Sequence, residues 1–279
     1  MILILLIAIP LFAGIFSFGI KGDGAKVLGL ISSMLTLVAA AYVSGANYIA
    51  PVSFSQPWIP LLGTQFSLMG DGMSSMLCLL TGIVVLVVMI TNVSKEVEKP
   101  GSFYGLLLLS QAGLMGVFLA YDALVFYVFW ELALIPVYFL CSQWGGEKRI
   151  AVTFKFFIYT FVGSLMLLAG LIYLSLQTPG LSSYAWADIV RAGASLPPEK
   201  QQWLFWLVFI AFAIKMPIFP FHTWQPDTYE QSPTPVTIIL SALMVKMGMY
   251  AVLRWLVPVL PFGVAYWADT VVVLSVIGI

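Results

Sequence analysis

Charge is scarce in this sequence. Only 9% of its 279 residues are charged while 61% are hydrophobic, and the mean hydropathy is +1.03. Soluble domains carry about 25% charged residues, so no water-facing surface can be assembled from this composition. The charges that exist cancel, twelve basic against twelve acidic. That leaves no basic excess for nucleic acid and no acidic tail. Cysteine occurs only at Cys78 and Cys141, both inside apolar runs and without CxxC or Cys/His ligand spacing. Iron–sulfur and zinc sites are therefore not expected, and the two thiols read as small buried side chains. No glycine-rich phosphate loop follows a strand, so nucleotide binding is not expected either.

What is present is a succession of long apolar runs. A bilayer-spanning helix needs about 20 such residues. Eight stretches qualify, at 2–20, 27–46, 72–93, 103–121, 123–143, 151–176, 203–226 and 235–256. A ninth, 268–279, is too short to cross and reads as a span cut off. The first run has no basic residue before it, since Lys21 follows it, and is read as a retained membrane helix rather than a signal peptide. The long connection 47–71 contains Pro51, Pro57, Trp58 and Pro60 and is expected to form an extended surface cover. In the other, 177–202, Tyr184, Ala185, Ile189 and Val190 fit one face of a short interfacial helix. Lys21, Lys26, Lys95, Lys99, Lys148 and Arg149 fall in odd-numbered loops, against Arg191, Lys200 and Arg254 in even ones. The positive-inside bias then puts the odd loops in the cytoplasm and the N-terminus outside.

Three charges lie deep inside apolar runs, where each costs about 2.5–3.5 kcal/mol on insertion scales. Glu131 sits in the middle of span five, with Pro136 five residues on, crowding the Leu132 carbonyl. It reads either as a carboxyl kept neutral in an apolar slot or as a proton-exchanging group, and intramembrane ionisable residues favour the second reading. Lys215 precedes Pro217 and Pro220. The two prolines should free the Ala213 and Met216 carbonyls and break span seven there, which is tolerated at membrane depth only inside protein or beside a cavity. Burial disfavours the ammonium form of a lysine, so a lysine at such a break suits a switchable proton carrier. Lys246 lies mid-span in SALMVKMGMYAVLRW, too deep to snorkel.

His222, the single histidine, stands near the break with two open readings, hydrogen-bonding strut or proton relay. Lys155 reads as a snorkelling anchor, and Asp227 and Glu230 as solvated. Thr160 and Ser164 are spaced i, i+4 on span six and either hold water or bond their own backbone. The buried polar set is sparse and acid–base in character, which suits protons better than bulky solutes.

The runs FLAYDALVFYVFWELALIPVYFL, KFFIYTFVGSLMLL, FAIKMPIFPFHTWQPDTYEQSPTP and VKMGMYAVLRW together resemble the proton-pumping antiporter-like subunits of respiratory complex I. The form resembled is chain M of bacterial NADH:quinone oxidoreductase, related to mitochondrial subunit 4. The likeness covers nearly the whole chain and is densest over 103–256. It implies an all-α multi-pass membrane protein, an antiporter-like helix bundle with a broken span-seven helix. Residues 1–102 would be three N-terminal spans, 103–256 one complete five-helix repeat, and 257–279 the start of a truncated second repeat.

The same resemblance implies roles. Glu131 matches the family's span-five glutamate and Lys215 the broken-helix lysine expected to pair with it. Lys246 matches the lysine that carries protons toward the membrane centre, while His222, Lys155 and Pro217 are supporting. The chain would be a proton half-channel of the NADH:quinone oxidoreductase, a translocase, in the bacterial inner (plasma) membrane. It would hold no redox centre, cofactor or metal. NADH, FMN, iron–sulfur clusters and quinone are expected in partner subunits, and neighbouring antiporter-like subunits are expected beside it. One departure is Gln225-Pro226-Asp227-Thr228-Tyr229 in place of the family's L-P-D-A-H, which removes a second histidine. The competing implications are a subunit of a cation/proton antiporter or membrane-bound hydrogenase, and a non-conducting membrane scaffold.

Overall fold

The computed structural model describes residues 1–46, 50–178 and 182–278. The remaining residues belong to the two long connections and the end of the expected ninth span, and those parts of the expectations lie outside the described residues. The chain is helical almost throughout. Its helices are α1 (Ile2–Ser17), α2 (Asp23–Ala46), α3 (Gly72–Asn92), α4 (Pro100–Leu119), α5 (Ala123–Trp144), α6 (Arg149–Ser175), α7 (Trp186–Ala194), α8 (Pro198–Lys215), α9 (Gln225–Gln231), α10 (Thr234–Val259) and α11 (Pro261–Ile277). Of these α2, α3, α4, α5, α6 and α10 are long and apolar enough to cross a bilayer. α1 and α11 are apolar but have only 16 and 17 residues. At 1.5 Å per residue they reach about 25 Å, less than the roughly 30 Å hydrocarbon core.

α4 is buried along nearly its whole length, with α1, α2, α3 and α5 packed around it. Its glycines make that possible. A β-carbon on Gly113 would stand 2.4 Å from the Ala133 nitrogen of α5, and one on Gly105 would meet the Gly14 carbonyl of α1 at 2.9 Å. Small residues let backbones approach in lipid, where no hydrophobic drive separates helix from solvent.

Two ends of the bundle are tied by polar contacts. At one end residues 52–70 of the long connection form an antiparallel hairpin, β1 (Val52–Ile59) and β2 (Thr64–Gly70). This is the extended cover expected from its prolines. The turn between α4 and α5 joins that hairpin to the segment before α7. The Tyr121 N–H donates to the Ser67 carbonyl at 2.9 Å and the Ala123 N–H to the Tyr184 carbonyl at 2.7 Å. Asp122 caps α5 by accepting from Leu124 and Val125, and its other oxygen accepts from the Gln65 N–H. Burial raises the Asp122 carboxyl above the ordinary range despite these three donors. The expected interfacial helix is present as α7, but Tyr184 and Ala185 precede it and pair with the turn instead of lying on its face. At the other end Gly146 and Lys148 donate to the Gln231 carbonyl and side chain, fixing the α5–α6 connection to the end of α9.

The break in span seven is present. α8 ends at Lys215, residues 216–224 are turns with a cis bond between Phe219 and Pro220, and the helix resumes as α9. One expectation is corrected here. The Ala213 carbonyl, denied its partner by Pro217, is not left free but accepts from the Ile218 N–H at 3.0 Å. The chain folds back far enough for the next amide to reach it, as buried carbonyls require. The buried Trp224 indole closes the Ile214 carbonyl in the same way at 2.9 Å.

Candidate functional site

Lys215 is 2% exposed, and its Nζ has no hydrogen-bond partner among the described residues. Aromatic rings surround it. The ammonium lies 5.6 Å from the Trp130 ring of α5 and 6.0 Å from the Phe156 ring of α6. Phe212, one turn earlier on α8, packs against Trp130, and the Trp224 ring lies tilted against Phe156 at 4.8 Å. Ring faces attract a cation, more so when it is desolvated. They replace only part of the hydration that a buried ammonium gives up. Gly248 of α10 closes the remaining side, where a β-carbon would meet Lys215 Cβ at 3.1 Å and Met216 Cγ at 2.7 Å.

Glu131 follows Trp130 on α5 and is half-buried. Its carboxylate accepts a hydrogen bond from the Ser164 hydroxyl of α6. Tyr127, one turn earlier, also interacts with Ser164. Glu131 and Lys215 attract each other through space. They do not form an ion pair within 4.0 Å: the pairs at that distance among the described residues are Lys26–Asp23, Lys155–Asp227, Arg191–Asp188 and Arg254–Asp71. Opposite charges thus feel each other without contact, and either can change its partner or proton without first breaking a bridge.

Lys246 is not brought to this pair. It is half-buried and lines a cavity of about 490 Å³ with Gly72, Met73 and Met76 from the start of α3 and Tyr250 of α10. Gly248, two residues on, faces Lys215. Two residues turn a helix by about 200°, so Lys246 points to the far side of α10. Two π-helical stretches, Leu240–Met244 and Val252–Leu256, flank it. Such segments recur at functional positions in helices.

The supporting residues gather at the break. Pro217 begins it. His222 lies within it, half-buried, with its ring against Phe219 at 5.7 Å and a buried Nδ1 without a hydrogen-bond partner among the described residues. Lys155 pairs with Asp227 at 2.8 Å. Asp227, read from the sequence as solvated, is half exposed and also engaged in this pair. Thr160 bonds its own backbone at Phe156, while Ser164 reaches Glu131 instead.

Some features were not found by sequence reasoning. The Trp130–Phe156 box is one, and its only signal was the W-E pair. The Asp71–Arg254 ion pair is another. Arg254 was counted among the loop charges, yet it is 9% exposed within α10 and pairs with the residue that caps α3. Ser74 accepts from it as well, and the Tyr250 ring stands 5.6 Å from its guanidinium.

Residues 120–279 match the family described as NADH:quinone oxidoreductase/Mrp antiporter, TM. The chain belongs to this family. It is 37% identical over 266 residues to the F(420)H(2) dehydrogenase subunit M of Methanosarcina mazei, covering 92% of this chain and 53% of that protein. It is 35% identical over 258 residues to the NADH-quinone oxidoreductase subunit M of Rickettsia bellii, covering 90% and 51%. The chain thus spans about half the length of the curated relatives it matches. Among solved structures, a chain of respiratory complex I from Thermus thermophilus superposes with a TM-score of 0.86 at 29% identity, over 97% of this chain and 56% of that one. The antiporter-like fold is therefore that of complex I membrane subunits and their relatives.

Proposed function

We propose that the chain is part of a membrane subunit of a complex I-type quinone oxidoreductase and moves protons through a half-channel centred on Glu131 and Lys215. The observation that carries this reading is a buried lysine at the end of a broken membrane helix, with no hydrogen-bond partner among the described residues, in the field of a carboxylate it does not touch. While Glu131 is ionised, its field holds the proton on Lys215. When Glu131 is neutralised or drawn toward another cation, the ring faces alone do not repay the hydration the ammonium gave up, and the proton leaves. Lys246 is the next carrier. Its place across α10 means that the hand-off passes around that helix, whose π-helical stretches provide non-standard backbone on both sides.

The reading assigns no redox step to this chain. NADH or another reduced carrier, FMN, iron–sulfur clusters and quinone belong to partner subunits, and their energy reaches Glu131 as a change in neighbouring charge. Glu131 is half-buried on the α5–α6 flank, where a neighbouring antiporter-like subunit can act on it. The cytoplasmic membrane, with odd loops inside and the N-terminus outside, is the location in this reading.

Lys215→Ala in the assembled complex is the test. Electron transfer to quinone should continue while proton translocation through this subunit is lost. Wild-type translocation in fully assembled complex would refute the role. The family also includes Mrp antiporters, which supports a second reading as a subunit of a cation/proton antiporter. There proton movement would require a counter-flowing cation and no electron donor.

A further inference from the structure

Three carbonyls at the end of α8 directly precede Lys215, and each is taken. The Phe212 carbonyl accepts from the Met216 N–H at 2.9 Å and the Ala213 carbonyl from the Ile218 N–H at 3.0 Å. The Ile214 carbonyl, next to the lysine, accepts from the Trp224 indole N–H at 2.9 Å. The first two donors are backbone groups. The third is a side chain from the far side of the break, so it depends on which residue stands there. Trp224 also starts the next helix. Its own carbonyl accepts from the Thr228 N–H at 3.1 Å and the Thr228 hydroxyl at 2.6 Å, the first bonds of α9. Its ring is 2% exposed and lies against Phe156, whose other neighbour is the Lys215 ammonium. One side chain thus closes the carbonyl beside the lysine and backs a wall of its pocket. His222, in the same break, turns its ring to Phe219 instead.

We propose that Trp224 is a positioning residue that keeps the proton on Lys215 releasable. A buried carbonyl needs a donor. While the indole donates to the Ile214 carbonyl, that oxygen is a poor acceptor for the ammonium of the next residue. Lys215 is then held by ring faces and by the field of Glu131. With the indole N–H removed, an open acceptor stands beside a charged donor, and hydrogen bonds from charged donors are the strong ones. The ammonium turns to the carbonyl, and its proton stays in place when Glu131 is neutralised. Trp224 acts through Ile214 and Phe156. Around Lys215, α5 presents Trp130 and Glu131, α6 presents Phe156 and α10 presents Gly248. Glu131 is the charged group acting on the lysine among the described residues. The inference rests on the Glu131–Lys215 reading and adds what keeps the lysine from holding its proton too tightly.

The test measures proton translocation against pH by the assembled complex in sealed membranes. Trp224→Phe keeps a ring on Phe156 and drops the N–H. Trp224→benzothienylalanine keeps the bicyclic shape as well, so it isolates the hydrogen bond even where Phe disturbs folding. Both should slow translocation near neutral pH by about tenfold and move the alkaline limb of the profile upward by about one unit, the scale set by a hydrogen bond from a charged donor. Raising the pH should then restore the rate, which a purely structural defect would not allow. A wild-type profile in the benzothienylalanine variant, or a loss that is the same at every pH, overturns the positioning role. Lys215→Ala run alongside separates the two claims. If it stops translocation while the benzothienylalanine variant behaves as wild type, only the role of Trp224 fails. If Lys215→Ala translocates as wild type, the relay fails and the role of Trp224 with it.

Discussion

The Ser164 hydroxyl on α6 donates its hydrogen bond to Glu131 on α5, so the carboxylate is held by a neighbouring helix while its field acts on Lys215. A hydrogen bond to a charged group contributes about 1.5–3 kcal/mol. Ser164→Ala should therefore leave assembly intact and slow proton translocation by roughly tenfold or more, since about 1.4 kcal/mol is a factor of ten. Ser164→Thr, which keeps the hydroxyl, should restore most of the rate. Translocation rates in membranes normalised to subunit content check this, and equal rates in Ala and wild type would remove Ser164 from the mechanism.

Asp71 and Arg254 make a different kind of contact. Their pair, with Ser74 and Tyr250, fastens the start of α3 to α10. Asp71→Asn leaves a largely buried guanidinium without its anion, and breaking such a pair costs about 3–5 kcal/mol. A lower melting temperature in detergent is expected, with the double change Asp71→Leu/Arg254→Met costing less than the sum of the single ones.

The same pair sets a pH dependence. Burial alone would push the Asp71 carboxyl up, but the Ser74 N–H and the Arg254 guanidinium outweigh it and hold the carboxyl below the ordinary value. The unfolded chain then binds the proton more readily than the folded one. The contribution of Asp71 to stability is complete above the free carboxyl value of about 3.9 and is lost as pH falls through the depressed folded value. Thermal melts across that range should show a steeper acid loss in wild type than in Asp71→Asn.

Gly248→Ala tests the packing around Lys215. Its new methyl would stand 2.7 Å from Met216 Cγ and 3.1 Å from both Lys215 Cβ and the Phe212 carbonyl. Overpacking of this size costs about 1–3 kcal/mol, part of which is returned because Ala favours a helix over Gly by about 0.5–1 kcal/mol. A melting temperature close to wild type together with slower proton translocation is expected if the displaced group is the proposed carrier. Unchanged translocation would mean that the position of Lys215 in its aromatic box is not critical.

Much of this was legible in the sequence, for physical reasons. Apolar runs near 20 residues mark most spans because a bilayer dictates their length, and Pro217 and Pro220 mark the break because they remove donors. Glu131, Lys215 and Lys246 stood out because charge in such runs is costly. Partners were harder to read. Asp227 was taken for a solvated charge, and Arg254 for a loop charge at the end of its span. Each finds its partner on another helix, at Lys155 and Asp71, and no periodicity along one helix reveals what faces it across a packed interface. The facing of Lys246 was hidden for the same reason. Its depth is set by sequence position, but its direction is set by how Gly248 lets α10 lean on α8.

The central claim is that Glu131 and Lys215 act as one unit. A double-mutant cycle on proton translocation in the assembled complex, with Glu131→Gln, Lys215→Met and both together, measures this directly. The account predicts that each single change abolishes translocation through this subunit and that the double change is no worse than either. Near-wild-type translocation in either single variant, or losses that simply add, would contradict it.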